Sequence, residues 1–153
     1  MEEVNLSEII EQVLEDLDLH IKEKDARIDV GALPVIKGHR RQIQQLFQNL
    51  ISNAIKYSRA GERPQIEITS KEIVENKKRY YLVAVKDNGI GFDNVHNEKI
   101  FQIFTRLHGK HEYTGTGIGL SIAKKVVENH NGIIPAQSTP GEGTVFNIYL
   151  PIE

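Results

Sequence analysis

The segment from residue 45 to residue 58 constrains the fold most, because it predicts an amphipathic helix with two distinct faces. One face is an apolar stripe with the three- and four-residue spacing of a buried helix, and it consists of Ile43, Leu46, Phe47, Leu50, Ile51, Ala54 and Ile55. The other stripe is polar and contains Gln45, Asn49, Asn53, Lys56 and Tyr57. Residues four apart lie one above the other on a helix, so Asn49 and Asn53 point the same way. Such a stripe is either a solvated face or a site where amide oxygens bind a hard cation and a lysine meets phosphate.

Composition limits the classes of function that the chain can have. Its 153 residues, 39% hydrophobic and 26% charged, are enough for one globular domain with its own core. The net charge of −2 gives no general attraction to nucleic acid or to a membrane surface, so we expect neither as a partner. The absence of cysteine excludes disulfides and thiolate chemistry. The N-terminus has no signal-peptide pattern, and no apolar run approaches the roughly 20 residues of a membrane span, so a cytoplasmic location is expected.

Hydrophobic periodicity predicts the order of the remaining elements. One helix is expected within residues 1–24, beginning near Ser7 with Asn5 or Ser7 as its cap, and another over residues 118–129. Alternating patterns predict strands at residues 27–30 and 34–36, a hairpin of 65–74 with 80–85, and a closing hairpin of 133–137 with 144–150. Pro135 favours an edge position or a bulge. This order predicts an α+β fold, a two-layer sandwich with helices on one face of a mixed, mostly antiparallel sheet.

Two glycine-rich loops lie on either side of a long irregular segment. The first, DNGIG at residues 87–91, places a carboxylate at the end of a strand, where it can accept a hydrogen bond in a pocket that glycine opens to a flat ring. The same residues would also form an ordinary turn with a solvated aspartate. The second, GTGIG at residues 115–119, opens a helix whose free N–H groups and dipole favour phosphate. It matches neither the dinucleotide fingerprint nor the Walker A motif. Residues 93–114 between the loops are too long for a simple connection and indicate a functional lid.

Five segments in order together resemble a known family. NLISNAIKYS resembles an N box, DNGIG a G1 box, FQIF an F box, GTGIGLSIAKKVVENHNG a G2 box, and GEGTVFNIYLP a final hairpin. These are the motifs of the ATP-binding catalytic domain of sensor histidine kinases, in the GHKL superfamily with the Bergerat fold. The resemblance implies that residues 1–153 form one such domain with an ATP lid at 92–115. The wording FTRLHGKHEYTGTGIGL is similar to bacteriophytochrome-like and multi-sensor kinases.

The resemblance implies a role for each matching residue. Asn53 would ligand a Mg²⁺ ion that bridges the phosphates of ATP, and Asn49 would support metal and phosphates on the same face. Lys56 would contact phosphate, and Tyr57 would pack beside adenine or ribose. Asp87 would accept from the adenine amino group, which distinguishes ATP from GTP.

The glycine loops and the lid would complete the ATP site. Gly89 and Gly91 would leave room for the base, and Thr144 would support Asp87 through its hydroxyl or a water. Arg106 and Lys110 are candidate lid cations. The loop glycines would let the lid hinge around the triphosphate. The remaining residues of the implied ATP site are Ile90, Gly115, Thr116, Gly117, Ile118, Gly119 and Leu120.

No phosphoacceptor histidine is expected in this chain, and therefore no catalytic nucleophile. None of the six histidines has an H-box context; they are His20, His39, His96, His108, His111 and His130. The resemblance therefore implies the catalytic part of a larger kinase, with the dimerisation hairpin that carries the histidine and a response-regulator receiver domain as partners. Gly38 occupies a place where the family often has aspartate, which concerns only local capping.

Asn49 distinguishes between activities within the superfamily. The hydrolases of the superfamily carry a glutamate there to activate water, and an amide cannot act as a base near neutral pH. The sequence therefore predicts a histidine kinase. The alternatives are a GHKL-type ATPase or anti-sigma serine kinase, which Asn49 disfavours, and a degenerate nucleotide-binding module, which the intact Asn53, Asp87 and glycine loops disfavour.

Overall fold

The computed structural model describes residues 1–90 and 118–152, with only the backbone of residues 118–120. Within these residues the chain forms two sheets and a layer of helices. In chain order the elements are β1 (Glu2–Asn5), α1 (Leu6–Asp16), α2 (Asp18–Lys24), β2 (Arg27–Val30), β3 (Val35–Gly38), α3 (Arg40–Lys56), β4 (Gln65–Glu75), β5 (Lys78–Asp87), α4 (Ile118–Asn129), β6 (Ala136–Thr139) and β7 (Gly143–Pro151).

The main sheet has five strands in the order β2-β4-β5-β7-β6. Only β2 and β4 run parallel; the other neighbours are antiparallel, as the sequence predicts. The hairpin β4–β5 turns at Asn76 and Lys77, which both have positive φ, the geometry of the tight turns that match strand twist. Pro135 directly precedes the edge strand β6, so the predicted edge position is confirmed. The register sets Asp87, the last residue of β5, opposite Thr144 of β7.

The core lies between the main sheet and the helices. All seven residues of the predicted apolar stripe of α3 are buried. From the sheet, alternate residues face them, among them Ile66 and Ile68 of β4, Val83 and Val85 of β5, and Phe146 of β7. Helix α3 contacts α1 on one side and α4 on the other. The two-layer α+β sandwich is therefore confirmed. Among the described residues, no helix is long and apolar enough to cross a membrane.

The N-terminal segment differs from the prediction of a single helix within residues 1–24. Residues Glu2–Asn5 form a strand that pairs antiparallel with β3. Its only fully buried residue is Val4, so it carries no alternating pattern that a sequence reading could detect. Asn5 then caps α1, because its side chain accepts a hydrogen bond from the backbone N–H of Ser7 (3.0 Å). The helix breaks at Leu17, which is buried and separates α1 from α2.

The closing hairpin is also shorter than predicted. Strand β6 begins at Ala136, whereas Ile133 makes only an isolated bridge to Tyr149. Helix α4 is followed by an Asn-Gly pair: Asn131 has a φ of 61°, and the N–H of Gly132 donates to the carbonyl of Val127 (2.9 Å). This is the left-handed C-terminal cap that is typical of an Asn-Gly pair.

Candidate functional site

The polar stripe of α3 lies beside the core rather than entirely in solvent. Asn49 and Asn53 are both half-buried, and Lys56 is exposed three residues further along. The side-chain Nδ2 of Asn53 donates a hydrogen bond to the backbone carbonyl oxygen of Asn49 (2.7 Å). Because a carbonyl oxygen can only accept a hydrogen bond, this contact identifies the nitrogen end of the Asn53 amide. The Oδ1 of Asn53 is therefore directed away from the Asn49 carbonyl. A hard oxygen ligand is thus presented on this face of the helix.

Asp87 ends β5 with its carboxylate held by backbone donors. Its Oδ1 accepts from the N–H of Gly89 (2.8 Å) and from the N–H of Thr144 (3.3 Å). Among the described residues no donor reaches Oδ2, so that oxygen can accept from a ligand. Burial raises the pKa of Asp87 to about 6, although the hydrogen bonds from Gly89 and Thr144 act in the opposite direction.

Gly89 brings the carboxylate loop against the end of α3. It is buried, and a Cβ at this position would lie 2.7 Å from the carbonyl oxygen of Tyr57 and 3.0 Å from Oδ1 of Asp87. The next residue, Ile90, donates its N–H to the same Tyr57 carbonyl (3.0 Å). The structure therefore joins the two predicted halves of the site, the amide stripe and the carboxylate loop. The ring of Tyr57 itself is only 4% exposed, so it lies in the core behind this junction.

Thr144 meets Asp87 directly through its backbone, whereas the predicted support was through its hydroxyl or a water. Its backbone N–H makes the contact, whereas its hydroxyl lies 2.9 Å from Oγ of Ser138. Ser138 Oγ donates its single hydrogen to the carbonyl of Gly143 (2.9 Å), so the Thr144 hydroxyl is the donor toward Ser138. The predicted hydroxyl contact to Asp87 is therefore not the one in the structure.

Gly143 is a neighbour of the site that the sequence indicated only as part of the final hairpin. It has a φ of 135°, and a Cβ there would lie within 2.0 Å of the Asp87 carbonyl oxygen. The left-handed φ and the close approach both require glycine. The GEG turn was the available signal, but nothing in the sequence shows which strand end it touches.

Two further residues that the sequence analysis did not assign hold the loop after Asp87. Arg59 donates from Nε to the carbonyl of Asn88 (2.9 Å) and from Nη1 to the carbonyl of Gly141 (2.7 Å). The side chain of Asn88 accepts from the N–H of Gln65 (2.8 Å) and donates to the carbonyl of Arg63 (3.0 Å). The segment between α3 and β4 is thus held to the carboxylate loop by the side chains of both Arg59 and Asn88.

Part of the predicted site lies outside the described residues. This holds for the lid at 92–115 and for Gly91, Arg106, Lys110, Gly115, Thr116 and Gly117. The backbone of Ile118, Gly119 and Leu120 is helical and belongs to α4, so the helix includes the last two residues of the GTGIG motif. Their contacts with a nucleotide remain predictions.

A helix that carries amide side chains meets a half-buried carboxylate at the end of a strand of the mixed sheet. This arrangement is suited to a nucleotide, because amide oxygens could bind a metal ion at one end and the carboxylate could accept from a base at the other. Comparison with known proteins assigns the family. The family described as histidine kinase-, DNA gyrase B-, and HSP90-like ATPase matches residues 38–153. The chain therefore belongs to this ATPase family, as an ATP-binding catalytic domain of the sensor histidine kinase type.

Curated relatives carry this domain in longer chains. The phytochrome-like protein Cph1 of Synechocystis is 42% identical over 149 residues, which are 97% of this chain and 19% of that protein. Cyanobacterial phytochrome A of Nostoc is 43% identical over 143 residues, 94% of this chain and 18% of that protein. This chain thus spans about a fifth of the length of these relatives. That both are phytochromes or phytochrome-like proteins agrees with the predicted similarity to phytochrome-like kinases.

Solved structures share the fold over nearly the whole chain. The catalytic domain of histidine kinase ThkA has a TM-score of 0.77 at 30% identity, with 99% of this chain and 96% of that one covered. The mycobacterial sensor histidine kinase MprB has a TM-score of 0.79 at 24% identity, with 98% and 96% covered, and shows the likeness of fold. The predicted fold class and family are both confirmed.

Proposed function

We propose that this domain binds Mg-ATP and transfers the γ-phosphoryl group to a histidine on the dimerisation hairpin of the same kinase, in the cytoplasm. The observation that carries the proposal is the carboxylate of Asp87. Its Oδ1 is occupied by two backbone donors and its Oδ2 accepts from no described residue. Oδ2 would accept from the 6-amino group of adenine. Guanine has a carbonyl there, which a carboxylate repels, so the site favours ATP over GTP.

The amide stripe of α3 fits the phosphate end of the same ligand. Asn53 Oδ1 is the kind of hard oxygen that Mg²⁺ prefers, and the bond from Nδ2 to the Asn49 carbonyl keeps it oriented. Asn53, together with Asn49 on the same face, would hold the ion, which supplies charge neutralisation to the transferring phosphate. The exposed ammonium of Lys56 can meet phosphate at the end of the stripe. Phosphoryl transfer depends mainly on such positioning and charge compensation.

Asn49 supports transfer to histidine rather than to water. A nitrogen of the acceptor histidine would attack the γ-phosphorus, the bond to the bridging oxygen of ADP would break, and ADP would leave with the electron pair. Hydrolysis would need a base near the attacking water, and an amide at residue 49 cannot take a proton near neutral pH. A GHKL-type ATPase or serine kinase is therefore the weaker candidate.

A receiver domain of a response regulator is the proposed downstream partner. Histidine kinase ThkA has been solved in complex with the response regulator protein TrrA. That chain is 27% identical with a TM-score of 0.73 over 98% of this chain and 41% of its own length. The likeness supports the same class of partner for the kinase that contains this domain.

Thermal denaturation tests nucleotide binding directly. With the non-hydrolysable analogue AMPPNP and Mg²⁺ at about a hundred times Kd, the melting temperature should rise by about 5–10 °C. The rise should be smaller without Mg²⁺ and absent with the guanine analogue.

Asp87→Asn should abolish the response, because the carbonyl end of the amide stays on the backbone donors and the NH₂ group then faces the adenine amino group. Asp29→Asn, at an exposed carboxylate of β2, is the matched control and should respond like the wild type. An unchanged wild-type melting temperature with AMPPNP and Mg²⁺ would overturn the proposal.

A further inference from the structure

Three backbone segments meet behind Asp87, at residues 57–59, 88–90 and 141. Two backbone hydrogen bonds link them: the N–H of Ile90 donates to the Tyr57 carbonyl (3.0 Å), and the N–H of Gly141 donates to the Ile90 carbonyl (2.7 Å). Arg59 adds a third link that spans the whole junction. Its guanidinium reaches the carbonyls of Asn88 (2.9 Å) and Gly141 (2.7 Å) at once.

The guanidinium of Arg59 is suited to holding two carbonyls in a fixed relation. It is planar and rigid, and its donors form a fork that needs no rearrangement. Hydrogen bonds from a charged donor are shorter and about twice as strong as neutral ones. Across residues 1–90 and 118–152, no carboxylate pairs with Arg59, so its charge acts on these two backbone oxygens. A lysine would carry the same charge on a single ammonium, which cannot reproduce the fork.

The link from Arg59 to Asp87 runs through one peptide group. The carbonyl of Asn88, which accepts from Arg59, and the N–H of Gly89, which donates to Asp87 Oδ1 (2.8 Å), belong to the same planar unit. Fixing the oxygen therefore fixes the direction of the N–H. A cation on the carbonyl also polarises the peptide, which strengthens the hydrogen bond that its N–H donates.

We propose that Arg59 is a positioning residue for base recognition: through the Asn88–Gly89 peptide it orients the Asp87 carboxylate and favours its ionised form, so that Oδ2 can accept from the adenine amino group. The inference rests on the proposed function, since it concerns the same nucleotide site. Arg59 itself does not touch the base. Its removal should therefore weaken recognition of the 6-amino group more than it weakens binding of the rest of the nucleotide.

The test compares ADP with IDP, which differ at the position that would meet Asp87. Calorimetry with Mg²⁺ gives Kd for both ligands in the wild type, Arg59→Met and Arg59→Lys. For Arg59→Met we expect ADP to bind about tenfold more weakly, the effect of one lost charged hydrogen bond, and IDP to change by less than about twofold. Arg59→Lys should lie between. Arg63→Met is the matched control: Arg63 lies in the same loop, but its Nε donates to the Asp25 carbonyl (2.7 Å), away from the site.

The pH dependence of ADP binding gives a second measurement, which the loss of a residue with only a structural role would not change. The midpoint at which ADP affinity is lost on acidification should shift upward in Arg59→Met and stay unchanged in Arg63→Met. Within the described residues, the charged side chains that line the same depression as Asp87 are Lys86, its neighbour on β5, and Glu142 in the β6–β7 turn, and both are present in all variants.

The outcomes separate this inference from the proposed function. Equal weakening of ADP and IDP, or no weakening at all, would overturn the positioning role of Arg59. A wild-type domain that does not prefer ADP to IDP would instead contradict the role of Asp87 itself. If Arg59→Met melts below the assay temperature, Arg59→Lys gives the same readout, because one ammonium cannot hold both carbonyls.

Discussion

Asp87 is a half-buried residue whose carboxyl group has its pKa raised to about 6, above the ordinary aspartate value of 3.8. Burial is the main cause of the rise, and the N–H groups of Gly89 and Thr144 limit it. Between these two pH values the folded protein keeps a proton that the unfolded chain has lost. The free energy of unfolding therefore falls as the pH rises from about 4 to about 6, and the loss is complete above 6. Its size is at most about 3 kcal/mol.

Asp87→Asn should remove this pH-dependent loss. The amide oxygen can keep the backbone bonds of Oδ1, and the side chain stays neutral at every pH. We expect the ligand-free variant to be more stable than the wild type at pH 7.5, by up to about 3 kcal/mol, and to show no gain at pH 4. Urea denaturation followed by circular dichroism between pH 4 and 8 measures the difference. Asp29→Asn should show no such gain, and a stability difference for Asp87→Asn that does not vary with pH would contradict the argument.

The residues that the sequence revealed are those whose own side chains carry the chemistry. Asp87 and the pair Asn49 and Asn53 stood out because a carboxylate at a strand end and amides four apart on a helix are unusual functional groups in those positions. Arg59 acts on backbone carbonyls, which every residue has, so no pattern marks it. For Thr144, strand alternation predicts which side the residue faces but not which of its two donors meets Asp87.

The N-terminus of α3 is capped from a distant part of the chain. Its cap residue His39 makes no side-chain cap; instead its backbone N–H donates to Nε2 of His130 (3.0 Å). His130 is buried, and its Nδ1 lies 2.7 Å from the carbonyl of Val126. A carbonyl only accepts, so Nδ1 carries the hydrogen and Nε2 is the acceptor. The imidazole thus connects the end of α4 to the start of the helix that bears the amide stripe.

This capping arrangement explains Gly38 and gives a test. A Cβ at residue 38 would lie 2.9 Å from Nε2 of His130, which is held in place at both nitrogens. Gly38→Asp, which introduces the residue that the family resemblance would place here, should therefore destabilise this protein by about 1–3 kcal/mol, although a carboxylate close to the N-terminus of a helix is normally favourable.

A double-mutant cycle in urea tests the cause. His130→Ala should itself be destabilising, because it opens a cavity and leaves the His39 N–H without its acceptor. In that background Gly38→Asp should cost less than in the wild type, since the crowding atom is gone. Stabilisation by Gly38→Asp alone, or strictly additive effects, would show that His130 does not set the requirement for glycine.

Elements were predictable where the apolar period was long, as in α3, whose whole stripe is buried. In the N-terminal segment the prediction failed in two places, for opposite reasons. Strand β1 has only Val4 fully buried, too little for a pattern. The break between α1 and α2 was hidden because Leu17 continues the apolar period of the helix, and only its contacts with the core fix the bend.

At the scale of the whole molecule, strand order decides which distant segments form the site. Strand β5 lies at the centre of the main sheet between β4 and β7, so its last residue has neighbours on both sides. Asp87 pairs with Ile66 on β4 and with Thr144 on β7. The end of α3 covers the same place through the carbonyl of Tyr57. Sequence motifs can name these segments, but the register that brings them together depends on packing between residues far apart in the chain.

The same arrangement leads to a prediction about the fate of the phosphoryl group. The domain should hold ATP with little turnover and phosphorylate a histidine when the two-helix hairpin of its kinase is added in trans. The product would be seen as acid-labile, base-stable label on the hairpin from ATP labelled at the γ-phosphate. Asn53→Ala should abolish this transfer, since it removes the proposed metal ligand on α3.

We expect Asn49 to determine whether the bound ATP is also hydrolysed. Asn49→Glu places a carboxylate on the half-buried face of α3, one turn before Asn53, where it can take a proton from an attacking water. Phosphate release by the isolated domain should then increase by about a hundredfold or more, the lower end of the range for a positioned general base. Asn49→Gln has the same length without the basic group and should stay at the wild-type rate. If the glutamate and glutamine variants release phosphate equally slowly, the amide at residue 49 is not what prevents hydrolysis, and the lack of turnover must depend on the access of water to the γ-phosphate.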